Sequence, residues 1–330
     1  IFSSSGVTGT HNEAMVEAPG VITGRYGTIG EVFFAETSFW PLNTTLYVEN
    51  FHENDEKFVY YFLKTLEWKK FASASAVPGI NRNTVHKEIV RFPDFETQQK
   101  IASVLSTIDK KIAVNKAIND NLEQQAAALF SSLYNRSNTE VRYTDLIQIL
   151  GGGTPKTGET AYWNGNIAFF TPKDVGTPYT FITEKTITEE GLSHCNSRLY
   201  PVNTVFVTAR GTVGKVGLSG IPMAMNQSCY ALVGKETHQL LVYFYTLKAV
   251  DRLKHKASGA VFDAITTRDF DSEQIMKLSD DDAKAFLCVA EPMFQEMLNN
   301  SIENLRLSTL RDFLLPKLMS GEIDVSSVQL

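Results

Sequence analysis

A strict heptad pattern constrains the fold of this chain more than any other feature. Between residues 96 and 134, apolar residues and two asparagines recur with the alternating spacing of four and three that defines a coiled-coil seam. The seam positions are Ile101, Leu105, Ile108, Ile112, Asn115, Asn119, Leu122, Ala126, Leu129 and Leu133. At 1.5 Å per residue such a helix would run roughly 58 Å, longer than one small domain needs. The pattern therefore predicts a long helix that links domains and packs against a second helix.

An internal repeat supplies the second helix. At an offset of 185 residues, the seam asparagines align with two more asparagines, and three seam leucines align with leucines. The aligned positions of the second copy are Asn300, Asn304, Leu307, Leu314 and Leu318. Upstream, at an offset of 184, residues 27–30 (Gly-Thr-Ile-Gly) align with residues 211–214 (Gly-Thr-Val-Gly). The repeated unit is thus a mixed domain followed by a long helix.

The asparagines are expected to fix the register of the two helices. Two such helices related by a twofold run antiparallel, which would place Asn115 near Asn304 and Asn119 near Asn300. A shift by one heptad would bury each amide against Leu or Ile, at a cost of about 1 to 3 kcal/mol per unpaired amide. We therefore expect these four residues to set the register, and with it the distance between the two domains.

Composition places the chain among globular proteins with two sizeable cores. It has 330 residues, of which 43% are hydrophobic and 21% charged. No run of 18 apolar residues and no signal-peptide pattern occur, and the three cysteines are scattered, so we expect a cytoplasmic protein. The net charge of −6 argues mildly against nucleic-acid binding. However, residues 142–280 hold 14 Lys and Arg against 13 Asp and Glu, whereas residues 281–330 hold 4 against 8, so a basic patch on the domains is compatible with the sequence.

Two glycine-rich turns are candidate DNA contacts. Residues 24–30 and 209–215 match neither of the common phosphate-binding glycine motifs, so a nucleotide cradle is not favoured. A tight turn between strands explains the glycines. It does not explain the arginine in each turn, Arg25 and Arg210, each close to a threonine. Arginine suits guanine edges and phosphate, so both interpretations stay open, a structural turn and a DNA contact.

Other loops add polar candidates. Asn81 could pair with adenine or stabilise a turn, and the loop lysines could bind DNA or be solvated. The candidate DNA-binding residues are Arg25, Tyr26, Thr28, Asn81, Arg82, Thr154, Lys156, Lys173, Arg210, Thr212 and Lys215. The six histidines show no ligand spacing, so neither a metal nor a cofactor is predicted.

Two enzyme interpretations are not favoured. Pro93-Asp94 followed by Asp109-Lys110-Lys111 resembles a nuclease pattern, but its second half lies in the middle of the predicted helix. The Asn-Pro-Pro-aromatic tetrapeptide of adenine methyltransferases does not occur.

Several segments resemble the specificity (S) subunits of type I restriction-modification enzymes. They are residues 92–101 (FPDFETQQKI), 105–112 (LSTIDKKI), 152–155 (GGTP), 163–165 (WNG) and 318–325 (LMSGEIDV). The resemblance implies two target-recognition domains that each read half of a bipartite site in double-stranded DNA, joined by antiparallel spacer helices. It also implies docking of two methyltransferase (modification) subunits, and of restriction subunits through the complex, with no catalysis by the S subunit itself.

The predicted fold is mixed α/β, with two similar α/β target-recognition domains joined by two long antiparallel coiled-coil helices in a pseudo-twofold repeat. The predicted boundaries are 1–93 for the first domain, 94–136 for the first spacer helix, 137–279 for the second domain, and 280–330 for the second spacer helix and tail. Ile1 aligns with Lys185, so the counterpart of residues 142–184 is missing from the first copy, which we expect to be N-terminally incomplete and to expose unpaired strand edge. The alternatives are a coiled-coil scaffold that binds only protein and, with less support, a nuclease.

Overall fold

The computed structural model describes residues 1–73, 78–176, 178–256 and 264–329. The chain divides into two compact units, Ile1–Asn115 with Glu303–Leu330 (unit 1) and Lys116–Ile302 (unit 2). The helices are α1 (Glu56–Thr65), α2 (Arg82–Val85), α3 (Phe95–Arg136), α4 (Tyr143–Leu146), α5 (Glu189–Ser193), α6 (Gln239–Lys256), α7 (Thr267–Ser272) and α8 (Asp280–Met319). The strands are β1 (Phe2–Ser3), β2 (Gly6–Val7), β3 (Gly20–Gly24), β4 (Val32–Ala35), β5 (Thr45–Tyr47), β6 (Thr139–Arg142), β7 (Ile147–Gly151), β8 (Trp163–Phe170), β9 (Tyr179–Thr180), β10 (Lys185–Ile187), β11 (Val205–Thr208), β12 (Val216–Ser219), β13 (Met223–Met225), β14 (Cys229–Gly234) and β15 (Gln274–Lys277).

Unit 1 is built on a three-stranded antiparallel sheet in the order β4-β3-β5. Helix α1 begins where the Asp55 side chain accepts a hydrogen bond from the Phe58 amide at 2.8 Å, an N-cap that satisfies a free helical donor. The buried face of α1, with Phe58 and Tyr61, packs on Ile101 and Leu105 of α3. This apolar contact joins the domain part of unit 1 to its long helices.

Unit 2 holds a five-stranded sheet in the order β7-β14-β11-β12-β9 and a three-stranded sheet in the order β10-β8-β13. Helix α6 covers the larger sheet with an apolar face that is almost wholly buried. Below it, Phe130 of α3 stacks on Phe244 of α6 and meets Phe286 of α8, with ring centroids 5.0 and 5.5 Å apart. The domain part of unit 2 is therefore fastened to the long helices through aromatic rings.

Both long helices form as predicted and pair antiparallel. In unit 1, Asn115 bonds Asn304 while Asp109, earlier in α3, bonds Arg311, later in α8. In unit 2, Asn119 bonds Asn300 while Phe130, later in α3, meets Phe286, earlier in α8. The first seam positions of α3, from Ile101 to Ile112, are buried. The mixed α/β fold with two long antiparallel helices is thus confirmed, whereas the domain boundaries stay predictions.

The internal repeat is visible in the sheets. Strands β3, β4 and β5 of unit 1 correspond to β11, β12 and β14 of unit 2, and the hairpin turns between the first two strands of each set have glycines with positive φ at matching places, 27 and 30, and 211 and 214. In unit 2, β14 and β12 each gain another neighbour, β7 and β9. Within the described ranges, the sheet of unit 1 ends at β4 and β5. Within the described ranges, the sheet of unit 1 therefore has three strands where the larger sheet of unit 2 has five.

Among the described residues, none of the helices is long and apolar enough to span a membrane.

Candidate nucleic-acid interface

Four loops meet at one end of unit 2 because of the order of its strands. Strands β7 and β11 both run antiparallel to β14, and their last residues, Gly151 and Thr208, lie opposite Tyr230 and Cys229 at the start of β14. The end of β13 lies beside the end of β8. The loops that follow these strands therefore lie together, and we call residues 152–156, 171–176, 209–215 and 226–228 the loop face.

Hydrogen bonds tie these loops to one another. The Thr154 hydroxyl donates to the side-chain oxygen of Gln227. The amides of Ala209 and Arg210 both donate to the Ser228 carbonyl, at 2.8 and 3.2 Å. The Thr212 hydroxyl donates to the Pro172 carbonyl at 3.1 Å. The loop face is thus one connected surface, which is typical of a site that is formed before its ligand arrives.

The glycine-rich turn of residues 209–215 is rigid. Gly211 and Gly214 have φ of +80° and +75°, which a residue with a side chain rarely adopts. Behind them, the buried Thr208 donates its hydroxyl to the Thr212 carbonyl and accepts from the Lys215 amide at 2.9 Å. The turn therefore holds its backbone in one conformation beneath exposed side chains.

The structure brings most of the predicted residues of the second copy together on the loop face. Arg210, Thr212, Lys156 and Lys215 are exposed there. The Arg210 guanidinium has no hydrogen-bond or ion-pair partner in the part of the chain that the structure describes. An arginine that is free to reach outward from a rigid turn suits bidentate recognition of a base edge or a phosphate.

Lys173 has a nearby acid and is less free. Its ammonium lies 3.4 Å from Glu184, and both side chains are more than half exposed. The neighbouring Asp174 instead turns inward, where it accepts from the amide and hydroxyl of Thr171, both at 2.7 Å. Exposed ion pairs of this kind contribute little free energy, so the Lys173 ammonium can exchange Glu184 for another anion.

The Cys229 thiol beneath the loop face is uncharged. Cys229, at the start of β14, is fully buried, and burial, with a smaller effect from the Asp174 carboxylate, raises the pKa of its thiol to about 12. The thiol is thus protonated at neutral pH and places no negative charge under the cationic loops.

The turn of the first copy differs from its counterpart by one position. The amides of Arg25 and Tyr26 donate to the Thr44 carbonyl, at 2.8 and 3.3 Å, as those of Ala209 and Arg210 donate to Ser228. The two arginines therefore lie at the same turn, as predicted, but Tyr26 and not Arg25 occupies the place of Arg210. Successive side chains of extended backbone point to opposite sides, so the two arginines are presented differently.

Arg25 is half-buried. Its guanidinium carbon lies 4.9 Å from the centroid of the Tyr26 ring, and its Nε is buried and without a hydrogen-bond partner among the described residues. Thr28, at the tip of the same turn, is exposed. The turn of unit 1 thus presents an aromatic ring and a hydroxyl where unit 2 presents an arginine.

Residues 81 and 82 lie beside this turn. The Ile80 amide donates to the Arg25 carbonyl at 2.9 Å, which brings the next two residues alongside. The Asn81 side chain accepts from the Asn83 amide at 3.0 Å and caps α2, so its turn-stabilising role is the one that the geometry supports. Arg82 is exposed.

The spacer asparagines contact one another within each unit. In unit 1, the fully buried Asn115 donates to Asn304 at 3.0 Å and to Glu303 at 2.7 Å. The hydrogen bond from Asn115, followed by that from Lys111, lowers the pKa of Glu303. In unit 2, Asn300 donates to Asn119 at 3.0 Å.

Two contacts near the helices escaped sequence reasoning. In unit 1, Asp109 accepts from the Tyr61 hydroxyl at 2.6 Å and from Arg311 at 2.8 Å. Burial, then the hydrogen bond to Asp109, raises the pKa of Tyr61 well above its usual range. At the loop face, Lys254 of α6 lies against Gly214, and no local motif signals this contact because the two residues are forty positions apart.

Comparison with known proteins places the chain in a family. The model of the "Type I restriction modification DNA specificity domain" matches residues 2–124 and again 135–277. The type I restriction enzyme HindI specificity subunit of Haemophilus influenzae is 25% identical over 345 residues, covering 79% of this chain and 75% of the relative. The EcoR124I/EcoR124II specificity subunit of Escherichia coli is 29% identical over 204 residues, 57% of this chain and 50% of the relative.

A solved structure shows the same fold. The crystal structure of the type I restriction-modification S subunit from M. genitalium superposes with a TM-score of 0.62 at 17% identity, over 96% of this chain and 87% of that one. The specificity-domain model matches the chain twice and covers most of its length, so the chain belongs to the type I restriction modification DNA specificity domain family.

Proposed function

We propose that this chain is the non-catalytic DNA sequence-specificity subunit of a type I restriction-modification complex and that it reads a bipartite site. The observation that carries the proposal is the loop face of unit 2, where exposed cations surround a rigid turn in a chain that matches the specificity domain twice. Phosphate contacts position such a protein on duplex DNA, and a few contacts to base edges select the sequence.

The residues of the loop face divide between these two tasks. Arg210, held out from the turn with no partner among the described residues, is proposed to contact base edges. Lys156, Lys173 and Lys215 are proposed to contact phosphates as mobile point charges. The hydroxyls of Thr154 and Thr212 already form hydrogen bonds between the loops, so these residues are proposed to hold the loops in place more than to contact DNA.

Unit 1 is proposed to read the other half of the site with different chemistry. Tyr26, in the place of Arg210, offers an aromatic ring and a hydroxyl, and Thr28, Asn81 and Arg82 lie nearby. The packed Arg25 would support the ring of Tyr26 and contact DNA less directly.

Two methyltransferase subunits, and restriction subunits through the complex, are the proposed protein partners. The long helices carry exposed apolar side chains of the kind that mark protein interfaces. On α3 these are Phe95, Val114 and Ile118, and on α8 they are Val289, Leu305, Leu310 and Phe313. The protein-only scaffold alternative would use the same helices, but it gives no role to the cations of the loop face.

Arg210→Ala tests the proposal in the full chain assembled with its methyltransferase partner. Loss of a bidentate base contact should weaken binding to the cognate duplex by about 1 to 3 kcal/mol, a loss of roughly 5- to 150-fold. The cognate duplex is defined by the sequence motif that is methylated in the DNA of cells that carry the complete restriction-modification system. Binding would be measured by titration at fixed salt, with urea unfolding as the check on folding.

Arg142→Ala is the matched control. Arg142 is also exposed but lies in β6, which among the described residues pairs only with β15 and sends no loop to the loop face. The control should bind as the wild type does. If affinity and methylation are unchanged in Arg210→Ala, Arg210 is only a turn residue. If the methylated sites of the genome share no bipartite motif, the proposed function is wrong.

A further inference from the structure

We propose that Lys254 and the turn of residues 211–214 form a binding site for a phosphodiester group of the DNA backbone. This inference rests on the proposed function and extends it to a residue of helix α6 that no motif indicates. The site belongs to unit 2 and has no counterpart in unit 1.

Lys254 is held at the turn by its own aliphatic chain. A Cβ atom placed on Gly214 would lie 2.5 Å from Cε and 3.3 Å from Nζ of Lys254. The lysine stem therefore crosses Gly214 in van der Waals contact, and it needs the bare glycine surface to do so. The contact delivers the ammonium group to the turn while leaving it exposed.

The turn also offers backbone donors. The amides of Gly214 and Lys215 are satisfied by the carbonyl and hydroxyl of Thr208, both at 2.9 Å. The three amides before them, of Gly211, Thr212 and Val213, make no hydrogen bond to any residue that the structure describes. Unpaired consecutive amides beside a left-handed glycine form the kind of concave donor set that binds phosphate oxygens.

The charge of Lys254 is not neutralised, unlike that of its neighbours on α6. Arg252 and Lys256 both face the fully buried Glu273, Arg252 with its Nε 3.5 Å from the carboxylate. Lys254 has no acidic partner in the described ranges. Glu273 thus pairs with Arg252 and Lys256, whereas Lys254 remains available to bind an anion from outside the chain.

In unit 1 the same place is closed. Gly30, the counterpart of Gly214, is covered by Trp68, whose Cβ would lie 3.1 Å from a Cβ on the glycine. Trp68 is only 6% exposed and donates its indole N–H to the Leu63 carbonyl at 2.8 Å. An apolar, fixed ring fills the position that holds a free ammonium in unit 2, so the repeat places the site in one domain only.

The salt dependence of DNA binding tests the site in the full chain assembled with its methyltransferase partner. Lys254→Met keeps the aliphatic stem on Gly214 and removes the charge, so folding should be preserved. Loss of one phosphate contact should lower the magnitude of the slope of log K against log salt by about 0.9, equally on cognate and unrelated duplex. Lys254→Arg should restore most of the slope.

Lys235→Met is the control, because Lys235 is exposed just after the opposite end of β14 and binds the Thr144 carbonyl at 2.8 Å. Its slope should match the wild type. Single methylphosphonate linkages in the cognate duplex should include one that weakens the wild type and leaves Lys254→Met unaffected.

The outcomes separate the site from the proposed function. If the wild type binds cognate duplex but Lys254→Met and Lys235→Met have the same slope, the phosphate site is wrong and the function stands. If no methylphosphonate position couples to Lys254, the assignment to DNA phosphate is overturned. A wild-type complex that shows no salt-dependent DNA binding would refute the proposed function itself.

Discussion

The asparagine pair of unit 2 gives the sharpest energetic prediction. Asn300, 6% exposed, donates its amide to Asn119 at 3.0 Å, and Asn119 in turn donates to the Met297 carbonyl and the Ser301 hydroxyl, both at 3.2 Å. One hydrogen bond joins the two side chains at the seam, where Asn300 is buried and Asn119 is half-buried. Replacing one of them leaves the other without its partner, whereas replacing both removes the polar groups together.

The magnitudes follow from this arrangement. Asn119→Leu leaves the buried amide of Asn300 without an acceptor, and Asn300→Leu leaves the oxygen of Asn119 without a donor. Each single variant should lose about 1 to 3 kcal/mol of unfolding free energy. The double Leu variant should match or exceed the wild type, because both polar groups are replaced by apolar side chains that bury well at a seam. The coupling energy between the two sites should therefore be about 2 kcal/mol or more.

The coupling energy is measured in a double-mutant cycle, from the urea unfolding free energies of the wild type, the two single variants and the double variant. The Asn115 and Asn304 pair of unit 1 is the matched comparison. There Asn115 also donates to Glu303, so the double Leu variant would leave that carboxylate without its amide donor and should recover less stability. Additive effects in the unit 2 cycle, within about 0.5 kcal/mol, would show that the two amides do not depend on each other and would refute the register argument.

Two further predictions concern pH and local stability. Burial raises the pKa of Glu123, only partly opposed by the hydrogen bond from Tyr243 at 3.0 Å, so its ionised form costs stability at neutral pH and the cost disappears as pH falls through the raised pKa. Glu123→Gln should therefore raise the urea midpoint at pH 7 and leave it unchanged at pH 3, and a lower midpoint at pH 7 would contradict the sign. In hydrogen exchange, amides of β4 and β5 should exchange faster than those of β12 and β14, because the latter strands have neighbours on both sides; equal protection would argue against it.

Heptad spacing and the internal repeat predict the long helices and their pairing. Heptad spacing is a local property, because 3.6 residues per turn puts every third or fourth side chain on one face whatever the rest of the chain does. The repeat then supplied the partner helix, and the buried asparagines gave the register. That is why the sequence alone predicts the pairing of Asn115 with Asn304 and of Asn119 with Asn300.

The repeat also located the glycine turns but could not orient their arginines. A shift of one residue between the copies exposes Arg210 and half-buries Arg25, because neighbouring side chains at a strand end point to opposite sides. Sequence alignment at the level of a motif does not resolve one position. Only the backbone hydrogen bonds to Thr44 and Ser228 show which residues are equivalent.

The tertiary structure alone decided which residues share the loop face. Four loops far apart in sequence converge because β14 lies between β7 and β11, and strand order depends on long-range packing that no local pattern encodes. The position of Lys254 across Gly214 and the capture of its neighbours by Glu273 depend on where α6 lies against the sheet. Periodicity fixes which faces of an element are apolar, but the partner that a polar side chain meets is set by the packing of whole elements.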